Sequence, residues 1–318
     1  MKIEEVQKKY IAEIAKKMFG RKDNLKFLLV GRTGVGKSST INSLIGEEVA
    51  PTGKYRPTTM EVSTFQHKHG DLIYEIIDTP GLCDDLPEVG NDEIYIKKIK
   101  EHINSVDSIW FVSRLDETRL SSDEKRGIQI ITESLGKDCW KQAILIFTRA
   151  DKADDFDTDL IERTNIIREE IGKYFTDAQK IPSVAVSNVS KILPNGKTWL
   201  PELFTQVYLR FSDEGALPFL KSMESDISQT KKKDEEDATK NTEEKQDKKQ
   251  EEKPRINLND EQKEIIRQST FQRVIEGAKA GADIGADIGR NFGKVGETVG
   301  TVAGAIIGGV IGAVFSWW

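Results

Sequence analysis

The sequence has few of the residues that build disulfide frameworks and metal clusters. Cys83 and Cys139 are the only cysteines among 318 residues, and they form no C-x-x-C pair. This scarcity argues against a disulfide scaffold or a zinc finger and fits a reducing compartment. His67 and His69 alternate on a predicted strand and His102 stands alone, so we interpret the histidines as ordinary surface or core residues.

An excess of positive charge is also missing. The net charge is −6, and no stretch combines clustered Lys and Arg with interleaved aromatic residues. Nucleic-acid-binding domains carry such basic patches, so we expect no nucleic-acid partner. The N-terminus mixes both charge signs without an unbroken apolar run, which argues against a secretory signal. Apolar residues at three- and four-residue spacing there predict an amphipathic helix over residues 1–22.

Short β-rich runs alternate with helical patterns over residues 23–228. These runs are KFLLV, EVSTFQHK, LIYEIID, SIWFVSRL, AILIFTRA and PSVAVSN. Such alternation predicts a doubly wound α/β domain with a mostly parallel sheet. Ligands of such sheets bind at the carboxyl ends of the strands, where the motifs described next all fall.

The segment GRTGVGKSST, residues 31–40, has the pattern G-x-x-x-x-G-K-S between a predicted strand and a helical pattern. That context predicts a phosphate-binding loop (P-loop), because its glycines let backbone N–H groups approach phosphates at a helix N-terminus. We expect Lys37 to reach the β- and γ-phosphates, with a catalytic role, and Ser38 to bind Mg²⁺. The expected ligand is a nucleoside triphosphate.

Two further segments predict the groups that sense the γ-phosphate. Asp78 and Gly81 form a D-x-x-G motif at the end of a predicted strand. In nucleotide switches such an aspartate holds Mg²⁺ through water, and such a glycine N–H senses the phosphate. In the intervening segment YRPTTME we prefer Thr59 to Thr58 as the catalytic threonine of the metal shell. The expected metal ligands are Ser38, Thr59 and Asp78.

The segment TRAD, residues 148–151, follows another predicted strand and indicates guanine. A carboxylate at Asp151 can accept hydrogen bonds from N1–H and the exocyclic amine of guanine, whereas adenine has an acceptor and no amine there. The usual guanine-recognition motif is N-K-x-D. Thr148 and Arg149 occupy the first two positions here, and the Arg149 guanidinium can stack on the base. Asn188, after the next predicted strand, is placed to support the base.

The expected ligands are therefore GTP or GDP with Mg²⁺. Many GTPases place a water-orienting glutamine after the D-x-x-G motif, but this chain has Leu82, so we expect slow hydrolysis. An ATP-dependent kinase is disfavoured, because no phosphoacceptor-binding lid or catalytic base accompanies the loop. The residues expected to bind the nucleotide are Gly31, Gly34, Gly36, Lys37, Ser38, Ser39, Asp78, Gly81, Thr148, Arg149, Asp151 and Asn188.

The last ninety residues fall into three segments of different composition. Residues 229–258 form a charged linker, too polar to bury a core. Residues 259–297 are expected to form an amphipathic glycine-repeat helical segment, since glycines recur there at four-residue spacing. Residues 298–318 continue this glycine zipper without any charge and are long enough to span a bilayer. We expect a tail anchor with the nucleotide domain in the cytosol; the alternatives are self-packing in an oligomer without lipid, and disorder.

These motifs resemble those of the septin-like GTPases that include the chloroplast outer-envelope import receptors (Toc GTPases) and the immune-associated nucleotide-binding proteins. GRTGVGKSSTINSLIG, DTPGL and FTRAD are similar to both branches. SRLDETRLSSDEKRGIQIITESLGKDCWKQA, SNVSKILPNGKTWLPEL and the C-terminal anchor are similar to the Toc receptors in particular. The aspartate of FTRAD is kept in the immune-associated branch and is lacking in Toc receptors. The similarity covers roughly residues 1–210.

The resemblance implies a GTP-dependent homodimer anchored on the cytosolic face of a membrane, with an arginine that reaches the partner's nucleotide. The position that matches the motif R-L-D-x-x-R is Arg119. It serves as a dimer contact, a catalytic group or merely a solvated surface charge. Two functions stay open: a slow GTPase switch whose dimerisation gates an effector at a membrane, and a GTP-controlled scaffold or pore assembled through the glycine-zipper tail.

Overall fold

The computed structural model describes residues 23–52, 63–69, 72–79, 96–97, 99–101, 103, 105–228 and 256–292, with side chains described up to residue 276. The expected N-terminal helix, most of the charged linker and the expected membrane helix at residues 298–318 lie outside this part of the chain, as do Thr59 and Gly81. Among the described helices, none is both long and apolar enough to cross a membrane.

The described strands form one six-stranded sheet in the order β2-β3-β1-β4-β5-β6. Strand β1 pairs in parallel with β3 and β4, and β5 pairs in parallel with β4 and β6. Of these strands, only β2 at the edge runs antiparallel, to β3. The expectation of an α/β fold with a mostly parallel sheet is confirmed. The strand bounds are Asn24–Val30 (β1), Ser63–His69 (β2), Leu72–Asp78 (β3), Ser108–Arg114 (β4), Ala143–Thr148 (β5) and Ser183–Ala185 (β6).

Four of the helices that the structure describes connect or follow the strands of this sheet. Every residue of β5 is buried, as expected of a parallel strand whose two faces are covered. The interior is filled mainly by aliphatic and aromatic side chains, with Phe27, Trp110 and Trp140 among the largest fully buried ones. The helix bounds are Lys37–Ile45 (α1), Ser122–Leu135 (α2), Phe156–Gly172 (α3) and Trp199–Arg210 (α4).

Among the described residues, 213–228 and 257–292 belong to a second compact unit. Its described helices are Asp213–Ser222 (α5), Glu224–Ser228 (α6) and Asp260–Phe292 (α7). Within this unit Arg273 of α7 forms an ion pair with Asp213 at the start of α5. Helix α7 has 33 residues and includes the first glycines of the four-residue repeat.

A buried charge cluster joins β4, α2 and α3. The Arg163 guanidinium of α3 donates from Nη2 to Glu124 Oε1 at 2.7 Å and to Ser113 Oγ at 2.8 Å. The side chains of Arg163 and Glu124 are each only 2% exposed. Glu124 also accepts from the Ser121 backbone N–H, while its own N–H donates to the Ser121 hydroxyl, which completes a capping box at the start of α2. The loop at residues 115–121 is thereby fixed at its C-terminal end.

We expect Glu124→Gln to lower the free energy of unfolding by about 3–5 kcal/mol, because it removes the hydrogen-bonded counter-charge of a buried guanidinium and leaves only the Glu117 carboxylate at 3.9 Å. The amide oxygen of glutamine still accepts the capping hydrogen bond, so the decrease in the free energy of unfolding measures the effect of removing the carboxylate charge. Urea unfolding followed by circular dichroism measures this difference. Glu133→Gln, an exposed change in the same helix, is the control and should stay within about 0.5 kcal/mol of the unchanged protein. Equal effects of the two substitutions would contradict the prediction.

Candidate nucleotide-binding site

At Gly31 the loop between β1 and α1 lies against neighbouring backbone at a distance that only glycine allows. A β-carbon on Gly31 would lie 2.2 Å from the Val112 carbonyl oxygen, and one on Gly36 would lie 2.8 Å from Asn188 Nδ2. Gly34 and Gly36 have φ values of 77° and 101°, in the left-handed region that favours glycine. The loop therefore has the backbone geometry that the predicted P-loop requires.

The Lys37 ammonium folds back over this loop. Its Nζ donates to the Gly31 carbonyl at 2.9 Å and to the Arg32 carbonyl at 3.2 Å. It also lies 3.6 Å from Asp78 Oδ1 at the end of β3. The same Asp78 oxygen is buried and accepts no hydrogen bond from the described residues. A buried carboxylate oxygen without a donor is costly, and a cation or its water would satisfy it.

Ser38 and Ser39 follow Lys37 in the first turn of α1, and both are half-buried. The N-terminal N–H groups of this helix have no partner within the helix and attract anions. Strands β1 and β3 are adjacent and parallel, so Asp78 ends beside the loop. The structure thus brings the predicted phosphate-binding residues of the P-loop and two predicted metal ligands, Ser38 and Asp78, to the same end of the sheet.

The TRAD segment begins where β5 ends. The Thr148 hydroxyl is buried and donates to the Val35 carbonyl at 2.6 Å, so it ties β5 to the P-loop. Arg149 has φ 58° and ψ 32°, a left-handed conformation that costs energy in a residue with a β-carbon. Asp151 is exposed, and one of its carboxylate oxygens accepts a hydrogen bond from the Ser187 hydroxyl at 2.7 Å.

Asn188 lies between the P-loop helix and the TRAD segment. Its amide is within 3.3 Å of the Thr40 hydroxyl in α1, and its Nδ2 is the atom that a β-carbon on Gly36 would meet. The loop after β6 is therefore in contact with the turn that begins α1. Ser187 and Thr40, which hold Asp151 and Asn188, were not predicted from the sequence; the position of Ser187 directly before Asn188 was the available signal.

A chain of charged side chains links the loop after β4 to both halves of the site. Arg114 donates two hydrogen bonds to the Asp116 carboxylate, at 2.8 Å and 2.6 Å. Asp116 Oδ2 lies 3.9 Å from Arg149 Nη1 in the TRAD segment. Glu117 Oε1 accepts from Arg32 Nη1 of the P-loop at 3.2 Å. Such half-exposed pairs add little stability, but they restrict the positions of the two guanidinium groups.

The hydrogen bonds between Arg114 and Asp116 shift the pKa values of both side chains. The hydrogen bonds from Arg114 lower the pKa of Asp116 below its ordinary value, although burial opposes the effect, and the pKa of Arg114 is raised in turn. Asp116 is therefore a carboxylate at neutral pH. Only Arg119 was predicted in this stretch. Asp116 and Glu117 were missed because their partners Arg149 and Arg32 lie far away along the chain, and Arg114 was missed although its partner Asp116 is only two residues away.

Arg119 lies in a bend of the same loop and is exposed. It forms no hydrogen bond or ion pair with any residue that the structure describes. The guanidinium is thus not tied to the P-loop or the TRAD segment of its own chain, although Asp116 and Glu117 of its loop are.

Comparison with known proteins agrees with this geometry. The sequence profile of the AIG1 family matches residues 25–178. Translocase of chloroplast 34 from Pisum sativum is 30% identical over 215 residues, which cover 60% of this chain and 68% of the pea protein. Translocase of chloroplast 34 from Arabidopsis thaliana is 29% identical over 203 residues, which cover 58% of this chain and 64% of that protein.

A solved structure supports the same relationship. The crystal structure of a dimerization-deficient arginine-to-alanine mutant of Toc33 from Arabidopsis thaliana is 27% identical, with a TM-score of 0.51, and covers 64% of this chain and 90% of that chain. This chain spans less than two thirds of several curated relatives, down to 14% of translocase of chloroplast 159 from Arabidopsis thaliana. The pea relative is matched over more than two thirds of its length, and the chain belongs to the AIG1/Toc-type GTPase family.

Proposed function

We propose that this protein binds GTP, hydrolyses it slowly and acts as a dimerisation-regulated switch at a membrane. The observation that carries the proposal is the meeting of Lys37 and Asp78 beside a loop in which Gly31 leaves no room for a β-carbon. Family membership supports it. A protein that only binds the nucleotide would need the same loop, but it would not need the D-x-x-G motif that is proposed to sense the γ-phosphate.

Phosphate binding is assigned to the P-loop backbone and Lys37. The first N–H groups of α1 point toward the loop and favour an anion there. Lys37 Nζ now donates to two loop carbonyls, and phosphate oxygens would replace them as acceptors. In the family's chemistry Mg²⁺ neutralises charge on the β- and γ-phosphates. Ser38, Asp78 and Thr59 are the residues proposed to hold it, and Gly81 is proposed to sense the γ-phosphate.

Guanine selection is assigned to Asp151. The Ser187 hydroxyl holds one carboxylate oxygen of Asp151, which restricts the side chain before the base arrives. Arg149 is proposed to stack on the base, oriented by Asp116 at 3.9 Å. Asn188 supports the base from the loop after β6.

We expect Asp151→Asn to weaken GTP binding at least about 10²-fold, because two hydrogen bonds to a charged acceptor are lost. The same substitution should improve binding of xanthosine triphosphate, since the asparagine amide can donate to the carbonyl at C2 of xanthine. Isothermal titration calorimetry with GTP, xanthosine triphosphate and ATP measures both effects. Asp154→Asn, an exposed neighbouring carboxylate, is the control. Unchanged GTP affinity in Asp151→Asn would disprove the assignment.

Dimerisation is assigned to the loop that carries Arg119. The related Toc33 mutant, with arginine replaced by alanine, is described as deficient in dimerization. Here Arg119 is exposed, and its loop is held to the P-loop through Glu117 and to Arg149 through Asp116. A guanidinium on such a loop could reach the nucleotide of a facing subunit and report its state. We favour a contact role for Arg119, which agrees with the slow turnover that we expect from Leu82.

We expect Arg119→Ala to abolish a nucleotide-dependent dimer, because the charged contact to the partner's phosphates is removed. Multi-angle light scattering of the full-length protein in mild detergent, with GDP, GTP or a non-hydrolysable GTP analogue, measures the mass. Lys125→Ala removes an exposed charge six residues further along and should keep the dimer. A wild-type monomer in every nucleotide state would refute the dimer switch.

Membrane attachment is assigned to residues 298–318, which carry no charge and repeat glycine at four-residue spacing. Close packing of such helices in lipid would compensate for the low helix propensity of glycine. The alternative function, a GTP-controlled scaffold or pore, depends on the same residues. The switch and the pore differ in whether the membrane stays intact.

We expect the full-length protein to float with liposomes, and Ile307→Asp to reduce flotation, because a central charge opposes insertion by about 2.5–3.5 kcal/mol. Ile265→Asp, outside the membrane segment, is the control. Dye release from the same liposomes separates the two functions. Release that is lost in Gly304→Leu or Gly308→Leu supports the pore, whereas intact vesicles with bound protein support the switch. Equal flotation of all variants would argue against the anchor.

A further inference from the structure

Two histidines and a glutamate meet at the antiparallel edge of the sheet. His67 Nε2 lies 2.8 Å from Glu47 Oε2, and His69 Nδ1 lies 3.8 Å from Glu47 Oε1. One potential ligand atom from each of the three residues lies within 4.8 Å of the other two. This cluster is distinct from the predicted Mg²⁺ ligands Ser38 and Asp78.

The local fold places all three side chains without needing a ligand. Side chains two residues apart on a strand share a face, so His67 and His69 project from β2 in the same direction. Glu47 follows Gly46, the left-handed residue that ends α1 with φ 79°. Asn42 of α1 holds the turn after it, because its Oδ1 accepts from the Val49 N–H at 2.9 Å. The three groups are therefore attached to a strand and to a fixed helix end.

Burial and charge also suit a cation. The His69 side chain is 7% exposed and its ring lies 5.5 Å from that of Tyr74, which restricts its orientation. The side chains of His67 and Glu47 are 25% and 33% exposed, so the cluster is open toward solvent. The C-terminal end of a helix carries partial negative charge and favours cations, and Glu47 directly follows the end of α1.

We propose that Glu47, His67 and His69 bind a divalent transition metal of the zinc class. Zinc bonds of about 2.0–2.2 Å to nitrogen and oxygen give ligand–ligand separations of roughly 3.3 Å in a tetrahedron. His67 Nε2 lies 2.8 Å from one Glu47 oxygen and His69 Nδ1 lies 3.8 Å from the other, on either side of that value, and one ligand atom of each residue lies within 4.8 Å of the other two. Three protein ligands leave one position for water. Two imidazoles select this class of metal over Mg²⁺, which prefers oxygen ligands.

Such a metal ion would join two segments that are separate in the fold. Glu47 belongs to the end of the helix that starts at the P-loop, and β2 pairs only with β3 among the described strands. In sequence, Glu47 and His67 flank residues 53–62, where the predicted switch threonine lies. A bound ion therefore stabilises the edge strand against the P-loop helix, independently of GTP.

The test is direct metal binding by the folded full-length protein without nucleotide. Competition with a chromophoric chelator measures zinc affinity, and the visible absorption of bound Co²⁺ reports four-coordinate geometry. Glu47→Gln and His67→Gln keep side-chain size and hydrogen bonding but remove a ligand. Glu48→Gln and Gln66→Ala are the matched controls, since both residues are exposed neighbours. Circular dichroism establishes that every variant is folded.

We expect one zinc ion to bind to the unchanged protein and to both controls, and binding to weaken by about tenfold or more in each ligand variant. Zinc should also raise the midpoint of thermal unfolding of the unchanged protein and of the two control variants, but not of the ligand variants, because it stabilises the folded state to which it binds. Mg²⁺ at the same concentration should do neither. Zinc binding that is equal in all variants, or absent from the unchanged protein, would overturn the proposal.

Discussion

The close approach of the Gly31 backbone to the Val112 carbonyl constrains everything around the candidate site. Because a β-carbon at Gly31 would lie 2.2 Å from that oxygen, β1 can end beside β4 only with glycine at this position. The chain then turns through residues 32–36 into α1, whose N-terminus faces the space beyond the strand ends. Lys37 and Asp78 meet in that space because β1 and β3 are parallel neighbours.

The loop after β4 is the second structural feature that connects distant parts of the site. At its start, Leu115 donates its N–H to the Thr148 carbonyl of β5, and at its end Glu124 is held by Arg163 inside the protein. Between these anchors lie the carboxylates that face the P-loop arginine and the TRAD arginine. The exposed Arg119 lies on this loop, between its two fixed ends.

Helix α1 lies between the P-loop and the cluster of Glu47, His67 and His69. Its N-terminal end borders the P-loop, where N–H groups favour phosphate, and its C-terminal end leads into Glu47 beside the two histidines of β2. The helix has nine residues, so its two ends are only about 14 Å apart. The Glu47 carboxylate and the phosphate-binding loop therefore lie at opposite ends of the same short helix.

The sequence by itself determined the strands, the parallel sheet and the family, because short apolar runs, glycine spacing and the D-x-x-G and TRAD motifs are local patterns. The roles given to Thr59, Gly81 and Arg119 remain predictions. Only the tertiary structure decided which charged groups meet. The pairs Glu117–Arg32, Asp116–Arg149 and Glu124–Arg163 join residues 33 to 85 positions apart, and no local pattern encodes such contacts.

His67 and His69 also show the difference between what a local pattern predicts and what the tertiary structure decides. Their alternation placed them on one face of a strand, and sequence analysis interpreted them as ordinary residues. Glu47 lies twenty positions before His67, and only the fold brings its carboxylate within 2.8 Å. A strand pattern specifies which way a side chain points, whereas the packing of a helix end against that strand decides what it meets.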